Sequence, residues 1–151
     1  MSVEVIAEIG WNFMGDMELA SSMIRSAKEC GADTAKFQYW NPAKLRPGPW
    51  DTDGRIEIYK AAALDSEKIK ELMGACNDEG IGFLISAFNA SDAAFLAELS
   101  VDKLKIPSHE VANTALHQFA ADHFQAVYVS LGAGTVEEVG AACDIYNASK
   151  L

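Results

Sequence analysis

The chain has few basic residues, and they do not form a patch. Its 12 Lys and Arg residues are scattered among 22 Asp and Glu residues, which gives a formal net charge of −10. An acidic surface repels polyanions, so the composition argues against nucleic acid and anionic membranes as partners. An anionic substrate would need a few cations placed locally within a site.

Long apolar runs are missing as well. No run approaches the length of a membrane span, and the N-terminus lacks a basic region followed by an apolar stretch. With half of its 151 residues apolar, the chain can still bury a sizeable core. We therefore expect a soluble globular protein of the cytoplasm.

Cysteine is scarce and unpaired in the sequence. Cys30, Cys76 and Cys143 are far apart, odd in number and without a C-x-x-C pair. This spacing predicts buried or half-buried free thiols in helices rather than a disulfide frame or a zinc site.

Apolar runs typical of strands alternate with amphipathic stretches typical of helices. The pattern predicts strands at residues 3–7, 34–39, 81–85, 104–106 and 126–129, and helices at residues 16–30, 65–79, 89–99, 113–123 and 135–148. Apolar strands flanked by helices indicate a parallel α/β sheet. About five β/α units fit either a doubly wound sheet or five-eighths of an eight-fold barrel, and periodicity does not decide between them.

The stretch from residue 41 to residue 63 is rich in proline and glycine and is predicted to be a long loop. Loops of this length in compact domains are usually functional. Trp11, Trp40 and Trp50 lie near strand ends or in this stretch. They could stack against a sugar, although packing beneath the loop explains them equally well.

Polar side chains occur where the predicted strands end, at the edge that binds ligands in both α/β architectures. They are Glu8, Lys36, Gln38, Ser86, Lys105, Ser108, Glu110 and Ser130. A lysine in a buried strand requires an anion beside it, so Lys36 and Lys105 predict an anion pocket. The serines add neutral donors suited to phosphate, while Glu8 and Glu110 suit sugar hydroxyls or proton transfer.

A purely structural interpretation of these residues has equal support at this point. Glu8 with Lys36, and Glu110 with Lys105, could be structural ion pairs, because perturbed charges also occur in such networks.

The three histidines share no spacing that would suggest a metal site. We expect a surface or packing role for His117 and His123, while His109 lies at the predicted ligand-binding edge.

Five short motifs follow one another along most of the chain. They are Ala7-Glu8-Ile9-Gly10, Lys36-Phe37-Gln38, Ile85-Ser86-Ala87-Phe88, Lys105-Ile106-Pro107-Ser108-His109-Glu110 and Ser130-Leu131-Gly132. In order and spacing they resemble the N-acetylneuraminate (sialic acid) synthase family. The resemblance implies a TIM (β/α)8 barrel and predicts that residues 1–151 are its N-terminal portion, without the C-terminal strands and the antifreeze-like domain.

Members of that family join phosphoenolpyruvate to N-acetylmannosamine or a related N-acyl aldose, forming a nonulosonic acid and releasing phosphate. The resemblance therefore implies a phosphoenolpyruvate-dependent transferase that forms a C–C bond and assembles as a homo-oligomer. It also implies a divalent metal, Mn or Mg, whose histidine ligands belong to later strands. We expect this chain alone to bind anions weakly and to have no turnover.

The same resemblance assigns roles residue by residue. Lys36, Ser86, Lys105, Ser108 and Ser130 would hold the phosphate and carboxylate of phosphoenolpyruvate. Glu8 and Glu110 would face the sugar and the reacting centre, and Gln38 would be a further substrate-binding residue. Glu110 and Lys105 would be the catalytic residues, with Glu110 handling the proton. Departures from the family pattern bear on sugar specificity: Asn12-Phe13-Met14-Gly15 replaces Asn-His-Asn-Gly, His109 replaces a small residue and Leu131 replaces Thr.

Two other functions fit the same sequence. One is a non-catalytic half-barrel that self-associates through its open sheet edges. The other is a different phosphate-binding barrel enzyme, either an aldolase or a deoxy-sugar-acid phosphate synthase.

Overall fold

The computed structural model describes residues 3–45 and 47–149, and in these residues five strands alternate with six α-helices. The strands are β1 (Ile6–Gly10), β2 (Thr34–Gln38), β3 (Gly82–Ser86), β4 (Lys103–Ile106) and β5 (Ala126–Val129). The helices are α1 (Met17–Glu29), α2 (Arg55–Ala61), α3 (Ser66–Asp78), α4 (Ala90–Glu98), α5 (Thr114–His123) and α6 (Val136–Ala148).

The strands belong to one sheet with the order β1-β2-β3-β4-β5. The pairs β1/β2, β3/β4 and β4/β5 are parallel, and helices connect successive strands, as parallel pairing requires. The predicted α/β fold with five β/α units is confirmed. The chain divides into two compact units, Met1–Phe83 and Leu84–Leu151.

The first unit is built on β1, β2, α1 and α3. Both long helices begin at an aspartate cap, since the side chain of Asp16 accepts from Leu19 N and that of Asp65 from Lys68 N. The apolar faces of the two helices are buried through Ala20, Ile24, Ile69, Leu72 and Cys76. Local capping and periodicity therefore account for these two helices.

The second unit contains β4, β5 and helices α4 to α6. Asn89 and Asn113 cap α4 and α5, and Thr135 with Glu138 forms a capping box at the start of α6. The fully buried aliphatic side chains of this unit include Leu84, Ile85, Leu96, Leu104, Ile106 and Leu116. Alternating β/α elements thus bury one apolar core here.

The prediction that residues 41–63 form one unbroken loop is wrong. The stretch contains two 3₁₀ turns, Pro42–Lys44 and Pro49–Asp51, and the helix α2. Helix α2 has only 7 residues and begins after Gly54, whose φ of 87° lies in the left-handed region. A helix of two turns shows little periodicity, so the sequence does not reveal it. Arg46 lies outside the described residues.

The cysteines are free, as predicted, but only one of them is buried. Burial raises the pKa of the Cys76 thiol to about 12, because the thiolate would lose its hydration. Cys30 and Cys143 are exposed, so the expectation of buried or half-buried thiols is wrong for these two. Cys30 follows the last residue of α1, and Cys143 lies on the solvent side of α6.

Among the described helices, none is both long enough and apolar enough to cross a membrane.

Candidate functional site

The predicted site residues occur as two clusters, one in each compact unit. The first cluster contains Glu8, Lys36 and Gln38. The second contains Ser86, Lys105, Ser108, Glu110 and Ser130.

In the first cluster, Glu8 and Lys36 are partners across the paired strands β1 and β2. Their side chains form an ion pair in which Lys36 is 14% exposed and Glu8 is 46% exposed. Gln38 Nε2 donates a hydrogen bond of 3.0 Å to Glu8 Oε1. The ion pair of Glu8 and Lys36 that the structural interpretation predicted is therefore present. Glu8 supplies the anion that the largely buried ammonium group of Lys36 requires.

Gly10 permits this arrangement at the end of β1. The register of β1 and β2 shifts between Glu8 and Gly10, as in a β-bulge, and Gly10 has a φ of 62°. A Cβ atom at position 10 would lie 3.2 Å from Glu8 Oε1 and 3.6 Å from Gln38 Nε2. Glycine thus leaves room for the hydrogen bond between the two side chains.

An aromatic cluster of Trp11, Trp40 and Tyr59 lies in the same unit. The Trp11 ring makes edge contacts with Trp40 at 6.3 Å and with Tyr59 at 5.8 Å between ring centroids. Trp40 Nε1 donates to the backbone oxygen of Tyr59 at 3.2 Å. Sequence reasoning missed Tyr59 because it did not recognise α2.

Lys105 is the centre of the second cluster. Its Nζ donates to Ser130 Oγ and to the Ile106 carbonyl, both at 2.6 Å. The same carbonyl accepts from Ser130 N at 3.0 Å. Ser86, which is buried, is the register partner of Lys105 on β3. The structure therefore brings three of the predicted residues to the ends of neighbouring strands.

Ser108 and Glu110 lie in a 3₁₀ turn after β4. Asn113 Nδ2 donates to Glu110 Oε2 at 2.8 Å, and His109 Nε2 is 3.9 Å from Glu110 Oε1. The exposed His109 ring is stacked on Phe88 with 5.7 Å between centroids. Asn113 was not predicted as a site residue, because its contact with Glu110 has no signature in the sequence.

His117 has the predicted packing role. Its ring is buried, with Nε2 3.0 Å from the Val111 carbonyl and Nδ1 2.9 Å from the Tyr146 hydroxyl. Nε2–H must donate to the carbonyl, so Nδ1 accepts from the hydroxyl. Burial lowers the pKa of His117 and raises that of Tyr146 to about 12. The exposed His123 has the predicted surface location.

Metal ligands do not converge in the part of the chain that the structure describes. Across residues 3–45 and 47–149, no three His, Cys, Asp or Glu side chains are grouped so that they could hold an ion. These residues do not fit the divalent metal that the resemblance implies, and we assign no metal to them.

Comparison with known proteins agrees with the motif series. Residues 23–150 match the NeuB family. The N,N'-diacetyllegionaminic acid synthase of Legionella pneumophila is 32% identical over an alignment that covers 95% of this chain and 44% of that protein. The pseudaminic acid synthase of Campylobacter jejuni is 30% identical, over 98% of this chain and 46% of that protein.

Among solved structures, the chain is similar to the N-acetylneuraminic acid (sialic acid) synthetase of Leptospira borgpetersenii, with a TM-score of 0.85 and 28% identity. The match covers 97% of this chain and 50% of that one. The chain thus spans about half the length of the relatives it matches. The predicted family resemblance and the predicted fold are both confirmed.

Proposed function

The chain belongs to the NeuB family of nonulosonic acid synthases, and we propose that its second unit binds an anionic group of phosphoenolpyruvate through Lys105. In this proposal the whole enzyme condenses phosphoenolpyruvate with an N-acyl aldose and releases phosphate. Such an enzyme would work in the cytoplasm, where phosphoenolpyruvate is made.

The observation that carries the proposal is the orientation of the Lys105 ammonium group. Ser130 Oγ and the Ile106 carbonyl hold it at the carboxyl end of β4. These two acceptors fix the direction of the ammonium group at this edge of the sheet. A cation that is already oriented binds an anion at a lower entropic cost than a mobile surface lysine does.

The neighbouring side chains suit the same ligand. Ser86 is opposite Lys105 on β3, and Ser108 begins the turn after β4. Their hydroxyl groups can donate to phosphate or carboxylate oxygens. Glu110, held by Asn113, is our candidate for proton transfer. The roles of Glu8, Lys36 and Gln38 toward substrate remain predictions.

The proposal is tested by NMR titration of the isotope-labelled chain with inorganic phosphate and with phosphoenolpyruvate. We expect the amide signals around Lys105 and Ser130 to shift in the parent chain. Lys105→Ala should weaken binding by about tenfold or more, because a charge-assisted hydrogen bond is lost. Equal phosphate affinity in Lys105→Ala and the parent would contradict the proposal.

Lys103→Ala is the matched control, since it removes the same charge from the amino end of the same strand. Its phosphate affinity should stay close to that of the parent. A second assay contains phosphoenolpyruvate, N-acetylmannosamine and manganese. We expect no turnover from the 151 residues, and robust turnover would show that these residues suffice for catalysis.

A further inference from the structure

The turn that follows β4 is hydrogen-bonded to a buried histidine of α5. Ser108 and Glu110, two residues of the second cluster, lie in this 3₁₀ turn, and Val111 is the residue after it. Val111 is 3% exposed, and its carbonyl oxygen lies 3.0 Å from Nε2 of the buried His117. The backbone beside Glu110 is therefore held by a side chain to which the proposed site gives no role.

The other ring nitrogen of His117 is held by α6. Nδ1 lies 2.9 Å from the Tyr146 hydroxyl, and the two rings meet edge to face with 5.6 Å between their centroids. Burial lowers the pKa of His117, so the ring is mainly neutral at neutral pH. The Val111 carbonyl can only accept, which places the proton on Nε2 and makes the Tyr146 hydroxyl the donor to Nδ1. Both nitrogens are used, so the ring has one tautomer and one orientation.

The side chain of Val111 is packed against the loop that follows β5. A Cβ atom at Gly134 would lie 2.4 Å from Val111 Cγ1, which is too close for any side chain at that position. The Gly134 amide donates to the Leu131 carbonyl at 3.1 Å, so this part of the loop is a closed turn. Val111 is thus fixed both by its carbonyl oxygen and by its side chain.

Helix α5 holds the turn at a second point as well. Asn113, the N-cap of this helix, donates from Nδ2 to Glu110 Oε2 at 2.8 Å. The Asn113 amide donates to the Glu110 carbonyl at 2.9 Å. His117 lies one turn further along the same helix, and its backbone amide donates to the Asn113 carbonyl. The helix therefore contacts both the carboxylate of Glu110 and the carbonyl of Val111.

We propose that His117 is a positioning residue for the turn that carries Ser108 and Glu110. Its hydrogen bond to the Val111 carbonyl, with Tyr146 fixing the tautomer, keeps the turn in one conformation before a ligand binds. This inference rests on the proposed function, because that function gives the two side chains of the turn their roles toward substrate. A turn that is already ordered loses less conformational entropy on binding, so ligand affinity depends on the buried ring.

Two substitutions separate positioning from packing. His117→Leu fills the space with an apolar side chain but removes the donor, whereas His117→Gln keeps an N–H donor. We expect the Glu110 and Asn113 amides, measured by NMR hydrogen exchange without ligand, to exchange about fivefold faster in His117→Leu. His117→Gln should restore most of the protection. The amides of β4 are the internal reference, because global destabilisation would accelerate their exchange too.

His123→Leu is the matched control, since it makes the same substitution at the exposed imidazole of α5. Its turn amides should exchange as they do in the parent. The ¹⁵N signals of His117 in the unaltered chain give a measurement that requires no substitution. We expect the neutral tautomer with the proton on Nε2, and a proton on Nδ1 would overturn the proposal.

Phosphate titration then connects the turn to the site. His117→Leu should weaken phosphate binding by about threefold, and His117→Gln should bind nearly as the parent does. If the parent binds phosphate at Lys105 but His117→Leu has the parent's affinity and exchange rates, positioning by His117 alone is refuted. If the parent binds no phosphate, the proposed function is refuted, and the exchange rates still decide whether His117 orders the turn.

Discussion

Lys105 and Ser130 are 25 residues apart in the chain, yet the Lys105 ammonium donates to the Ser130 hydroxyl at 2.6 Å. The pairing of β4 with β5 makes this contact possible, and the amide of Ser130 itself donates to the carbonyl of Ile106. The orientation of the proposed anion-binding cation therefore depends on the sheet and not on a local motif.

Ser130→Ala removes the hydroxyl group that accepts a hydrogen bond from the Lys105 ammonium. We expect phosphate affinity, measured by NMR titration, to fall about fivefold, as the loss of one hydrogen bond predicts. Ser130→Thr keeps the hydroxyl and should restore most of the affinity. Unchanged affinity in Ser130→Ala would mean that Ser130 does not orient Lys105 for binding.

Glu8→Ala should destabilise the first unit, because Lys36 is largely buried and loses its ion-pair partner while Gln38 loses an acceptor. We expect the free energy of unfolding in urea to fall by about 1–2 kcal/mol.

Glu57→Ala is the matched control for that measurement. It breaks the 2.9 Å pair with Lys60, in which the side chains are 73% and 56% exposed. Exposed ion pairs of this kind contribute little to stability, so the free energy of unfolding should fall by less than about 0.5 kcal/mol. Equal losses in the two variants would show that partial burial does not strengthen the pair of Glu8 and Lys36.

Stability should depend on pH through His117. Burial lowers the pKa of His117 in the folded state, so the unfolded chain binds this proton more readily. The stability that the neutral His117 ring contributes is fully present above the unfolded pKa of about 6.5. It is lost as the pH falls below that value, and the free energy of unfolding decreases by at most about 1.4 kcal/mol per pH unit. Urea unfolding between about pH 7.5 and pH 5.5 measures this slope.

Substitution of His117 identifies the source of that slope. His117→Gln should flatten the pH dependence in this window, whatever its effect on stability at neutral pH. His123→Gln removes an exposed imidazole from the same helix and should retain the slope of the parent. A slope that persists in His117→Gln would assign the titration to another group.

Gly15→Ala and Gly31→Ala separate backbone strain from steric conflict. Both glycines have a φ of 87°, but only a Cβ at position 15 meets the backbone of α2, while the space around position 31 is open. Gly31→Ala should lower the free energy of unfolding in urea by about 1–2 kcal/mol. Gly15→Ala should lower it by at least about 2 kcal/mol more. Equal losses would mean that α2 is not packed closely against Gly15.

Most of the fold could be predicted because its signals are local. The Asp16 cap, the capping box of Thr135 and Glu138, and the apolar faces of the longer helices all involve residues a few positions apart. Helix α2 could not be predicted, because its position depends on Trp40 and on the close packing against Gly15 rather than on its own periodicity.

The sequence by itself determined the β/α alternation, the family and the polar residues that end the strands, because each is encoded in short segments of the chain. Only the tertiary structure decided which of these side chains meet. Lys105 with Ser130, and His117 with Tyr146, are 25 and 29 residues apart, and their contacts exist only because strands and helices pack against each other. Such contacts depend on long-range packing, which the pattern of a single segment does not contain.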